Sequence, residues 1–166
     1  DRLRDALAIV FLAALASMMI SATTGALTLL ATDVIDASEF LGAWSVWWAG
    51  DAMGILVVAP FLFTIATIRV HPLPRGWKLI EALGLVAALV GICSVVVASD
   101  LPIIFLLFPV LGWAAWRFHQ PGAAPAALLV SLVATWAAVE GRGLFDGASL
   151  SGRMLTLQAF NATVAF

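Results

Sequence analysis

The sequence predicts an all-α fold: a polytopic transmembrane helical bundle of about six spans with both termini cytoplasmic. Three observations predict it. Hydrophobic residues make up 63% of the chain and charged residues 11%, with a mean hydropathy of +1.09, whereas a soluble domain averages about 25% charged residues. Apolar runs reach or approach the ~20 residues needed to cross a bilayer, and the charges fall in short intervals between them. Basic residues collect in every second interval, which orients the spans.

The first run covers residues 6–32, after Arg2 and Arg4. It is too long for the apolar region of a cleavable signal peptide and lacks a small-residue cleavage site, so it reads as a retained helix. A second run, 43–68, carries one charge, Asp51, and ends past Pro60. The third is 78–98. The fourth, 102–118, is short, with Pro102 suited to a first helical turn and Pro109 in the interior, where a kink or a half-membrane segment is the alternative to a full span. The fifth is 122–140 and the sixth 150–166. Since the chain starts at Asp1 and Phe166 lies inside an apolar run, it reads as a single transmembrane domain, 1–166, within a longer protein.

In a six-span arrangement one side collects Arg2 and Arg4, then Arg69, His71, Arg75 and Lys78, then Arg117 and His119. The other side carries Asp33, Asp36 and Glu39, then Asp100, then Glu140, Arg142, Asp146 and Arg153. Cytoplasmic loops collect Lys and Arg, so the first side is cytoplasmic. A net charge of -2 without a basic cluster argues against nucleic acid as a partner. The single Cys93 permits no intrachain disulfide.

Within the second run, Trp44, Trp47, Trp48 and Asp51 follow the i, i+3, i+4, i+7 spacing of one helix face. A carboxylate at membrane depth costs ~3 kcal/mol or more, so a functional role is the default expectation for it. Two readings stay open: a polar bridge to a neighbouring helix, and a ligand site or switch walled by Trp47 and Trp48. Trp44 at the helix start, and Trp113 and Trp116 in the fourth run, suit an interfacial aromatic belt. Gly50 and Gly54 flank Asp51, and Gly84, Ala87, Ala88 and Gly91 share a face of the third run; both sets predict close helix approach. Ser17, Ser21, Thr24 and Thr28 form a hydroxyl stripe that suits interhelical packing and back-bonding to i-4 carbonyls.

No catalytic constellation is visible. His71 and His119 fall in different loops without a Cys or carboxylate at metal-ligand spacing, and Gly141-Arg142-Gly143 follows a helix where a nucleotide-binding turn would follow a strand. No enzyme activity, metal or cofactor is expected of this segment.

Two stretches carry a family resemblance. Trp47-Trp48-Ala49-Gly50-Asp51-Ala52-Met53-Gly54-Ile55-Leu56-Val57-Val58-Ala59-Pro60 resembles the WWxGDxxGxLxxxP-like signature of the first type of MASE, the membrane-associated sensor domains. Phe108-Pro109-Val110-Leu111-Gly112-Trp113-Ala114-Ala115-Trp116-Arg117-Phe118 is similar to that family's FPxLxWAAxRFG segment, and residues 137–145 with Leu157-Gln158-Ala159-Phe160 follow in order. The resemblance covers residues 41–166, the carboxyl-terminal two-thirds or less of such a domain, and makes Pro60, Pro109, Trp113 and Arg117 motif positions. Two departures stand out: His119 where the family usually has Gly, and Gly143-Leu144-Phe145 where Gly-Pro-Phe is usual.

The resemblance implies a sensory input domain of the bacterial inner membrane, set before a cytoplasmic histidine kinase, diguanylate cyclase or phosphodiesterase module in the same chain. Its partners would be the bilayer, that module, and a second copy or another membrane protein. The competing reading is transport, with Asp51 as a proton or cation relay. By depth, Asp51 lies roughly 12 Å into the second run and Gln158 about as far into the sixth. Arg153 is a turn and a half shallower, so Asp51 is expected to be held by Arg153, Gln158 or both.

Overall fold

A computed structural model describes residues 12, 15–67, 76–99, 103–146 and 149–165. Among these there is no strand, and six helices follow the six apolar runs in order: α1 (Ser17–Ala31), α2 (Phe40–Thr67), α3 (Trp77–Ala98), α4 (Leu107–Phe118), α5 (Gln120–Glu140) and α6 (Leu150–Ala165). Short 3₁₀ turns, Ile104–Leu106 and Gly143–Phe145, lead into α4 and follow α5. By length and composition α2, α3 and α5, at 28, 22 and 21 residues, can each cross a membrane. Ser17–Ala31 and Ile104–Phe118 are shorter apolar helices, and α6 has 16 residues. Among the described residues, three helices are thus long enough for a full crossing. Much of the first run and Pro102 lie outside the described residues.

Contacts divide the chain into two compact units, Asp1–Leu56 and Val57–Phe166, and the division falls inside α2. Pro60 sits inside this helix, and its missing N–H removes the rung that would end on the Leu56 carbonyl.

In the first unit α1 buries Ala22 and Ala26 and α2 buries Ala52. The hydroxyl stripe divides in two. Thr24 and Thr28 donate to the carbonyls of Ile20 and Thr24 at 2.9 and 2.8 Å, whereas Ser21 reaches across to α2. In the connecting segment Glu39 Oε2 accepts from the Asp36 N–H at 3.0 Å and the Glu39 N–H returns to the Asp36 carbonyl at 2.9 Å. This reciprocal arrangement steadies the start of α2.

In the second unit α5 packs on α3, α4 and α6. It buries Ala124, Ala126, Val130, Ser131, Ala134, Ala137 and Ala138; such small side chains let helix backbones approach without the hydrophobic drive that water supplies. α3 offers Leu85, Leu89, Cys93 and Val96 as one stripe, while its Leu83, Val86 and Val90 are exposed, as lipid-facing positions are.

One expectation is corrected here. Pro109 is not interior to its helix: α4 starts at Leu107 behind the 3₁₀ turn, so Pro109 occupies the first turn, where an N–H has no intrahelical partner to lose. Among the described residues, an added Cβ at Gly54, Gly84 or Gly91 would meet nothing within 4 Å. A close approach is made at Gly25, where an added Cβ would fall 2.6 Å from the Trp47 ring.

One residue, His119, separates α4 from α5, with φ 54 and ψ -150. That region is costly for any residue with a Cβ, which explains why glycine suits the family's motif there. α5 ends on Gly141 at φ 66, ψ 40. Arg142 N–H bonds the Ala137 carbonyl at 2.9 Å and Gly141 N–H that of Ala138 at 3.3 Å, the paired closure of a glycine C-cap.

Candidate functional site

The expected tryptophan and carboxylate face forms within the first unit. Asp51 lies eleven residues past the start of α2, about 17 Å along its axis, and is half-buried. Its Oδ2 accepts a hydrogen bond from Ser21 Oγ on α1 at 2.7 Å. A hydroxyl donor to a carboxylate at this length is charge-assisted and stronger than a neutral bond.

The three indoles are set by α1 and the residues just before it. Trp44 Nε1 donates to Thr23 Oγ1 at 3.0 Å, and Trp48 Nε1 to the Leu15 carbonyl at 2.8 Å. Both N–H groups are therefore occupied by protein acceptors. The Trp44 and Trp48 rings stack, with centroids 5.9 Å apart and planes 10° from parallel, as i and i+4 residues on a helix allow. Trp47 lies over Gly25 and stays 40% exposed. The Trp44 indole is thus engaged with α1, a more specific role than the interfacial belt expected of it.

Arg153 and Gln158 belong to the second unit. The Arg153 guanidinium lies close to Gly141. Gln158 Oε1 is buried with no hydrogen-bond partner among the described residues. One turn on from Gln158, Asn161 Oδ1 accepts from Ser131 Oγ at 2.7 Å, a buried pair joining α5 to α6. Phe160 packs on Phe108, ring centroids 5.4 Å apart.

Arg117, a motif position, makes an ion pair: its Nε lies 2.6 Å from Glu81 Oε2 on α3. Trp113 and Trp116 are exposed, Trp116 at 81%, consistent with lipid or interface contact. Arg142 donates from Nη1 to the Val97 carbonyl at 3.1 Å and stands 5.5 Å from the Trp136 ring centroid, so it is a packed residue as well as a loop charge. Sequence reasoning missed Glu81, Ser131 and Asn161. Their partners lie 36 and 30 residues away along the chain, and short-range periodicity does not reveal such pairings.

Apolar helices long enough to cross a bilayer, with a carboxylate held inside one of them, define an integral membrane domain. The MASE1 family model matches residues 1–166. The chain belongs to the MASE1 family, which is made up of membrane-associated sensor domains. The match covers the first forty residues as well, so the likeness reaches further than the 41–166 read from the motifs. No curated protein and no solved structure matches the chain.

Proposed function

We propose that this chain is the sensory input domain of a bacterial inner-membrane signalling protein, with both ends cytoplasmic, and that it controls a kinase or cyclic-dinucleotide module by repacking its helices. MASE1 membership supports the sensory role, and the basic residues of alternate loops support the orientation. The observation that carries the mechanism is the 2.7 Å bond from Ser21 to Asp51. It joins two neighbouring helices through a group whose charge is expensive at membrane depth. A stimulus that competes for Asp51 alters how α1 meets α2, and a shift in helix packing is the kind of two-state change that passes to an attached module.

The test uses the full-length protein. Asp51→Asn and Ser21→Ala should shift basal output or blunt the response to stimulus while the protein still folds. Wild-type output and response from both variants would overturn the proposal. Cation or proton flux in reconstituted vesicles, abolished by Asp51→Asn, would instead establish transport.

A further inference from the structure

We propose that the α1–α2 unit binds an organic cation, an ammonium head group, with Asp51 as counter-charge and the Trp44 and Trp48 indoles as its aromatic wall. This rests on the sensory reading and names the ligand class of the same site.

The first argument is charge. Residues 12–67 contain Asp33, Asp36, Glu39 and Asp51 and no Lys, Arg or His. An ionised carboxylate offers about four acceptor positions, and among the described residues Asp51 receives one neutral donor, Ser21. A carboxylate at this depth is stabilised by a positive partner, and the described residues of this unit include no Lys or Arg. An anionic ligand would be repelled and a neutral one would leave the charge unmatched.

The second argument is the aromatic chemistry. Both indole N–H groups are spent on Thr23 and Leu15 and the two rings stack on each other, so what they offer a ligand is the π face of each ring turned away from the other. Trp faces attract cations, organic ammonium groups above all, because these shed water easily. Trp48 and Asp51 are three residues apart, one helical turn, so a head group beside the carboxylate lies within reach of that ring. The exposed Asp33, Asp36 and Glu39 stand in the segment that leads into α2, and a field of one sign raises the local concentration of opposite charge.

The test measures tetramethylammonium binding by calorimetry to the full-length protein in nanodiscs of zwitterionic lipid, against sodium chloride at equal ionic strength. Saturable binding of tetramethylammonium and none of sodium is expected, weakened about tenfold or more by Asp51→Asn and about threefold by Trp48→Phe. Absence of saturable binding, equal binding by sodium, or full binding by Asp51→Asn overturns the proposal. Trp48→Phe keeps an aromatic core residue, so it tests the wall even if the Asn variant misfolds. Output measured on the same variants separates the two readings. Output that depends on Asp51 without ammonium binding sinks only the ligand class, while ammonium binding with output indifferent to Asp51 sinks the sensory role.

Discussion

Glu81 on α3 and Arg117 on α4 meet at 2.6 Å between Oε2 and Nε, with both side chains about a quarter to a third exposed. The pair fastens the start of α3 to the end of α4, the ends away from the segment that joins them. It also gives the motif arginine a partner that charge counting in loops leaves out.

Arg117→Gln should therefore lower stability by about 1–2 kcal/mol, because Glu81 then loses a charge-assisted bond in a half-buried place. Thermal unfolding in detergent measures this. Adding Glu81→Gln should recover part of the loss, and a double-mutant cycle with no coupling would reduce the pair to an incidental contact.

The glycines make opposite predictions. Gly25→Leu should push the Trp47 ring aside, shifting tryptophan fluorescence and costing about 1–3 kcal/mol. Gly54→Leu, where an added Cβ meets nothing within 4 Å, should change stability by about 0.5 kcal/mol or less. If Gly54→Leu proves the more damaging, that face is covered in the assembled protein.

His119→Gly should raise stability. The positive φ of His119 costs about 1–3 kcal/mol for a residue with a Cβ, and glycine's extra unfolded-state entropy offsets up to about 1 kcal/mol. A net gain of about 1 kcal/mol is expected in a melt at fixed pH, whereas His119→Ala should show no such gain.

Asn161→Leu should cost about 1–3 kcal/mol by stranding the buried Ser131 hydroxyl. Ser131→Ala in the same background should return much of it, because two apolar groups leave no polar group unmet. Urea or thermal unfolding of the four species measures both effects.

The apolar runs placed all six helices, because bilayer length and loop charge are written locally in the chain. The start of α4 was misjudged, since a proline reads the same in a helix interior and in a first turn until the preceding 3₁₀ turn is seen. Asp51 and the tryptophan face were visible as residues four or fewer apart on one helix. Ser21 was not distinguishable from its neighbours Thr24 and Thr28: the same hydroxyl chemistry bonds its own helix in two of them and another helix in the third. Gly54 and Gly25 show the limit of spacing rules. Both are small residues in apolar helices, and only the position of the Trp47 ring tells which one is a contact.

The single-residue joint at His119 has a mechanical consequence. With a single residue between α4 and α5, neither helix has the slack to slide along its axis without the other, so the two are coupled in translation through His119.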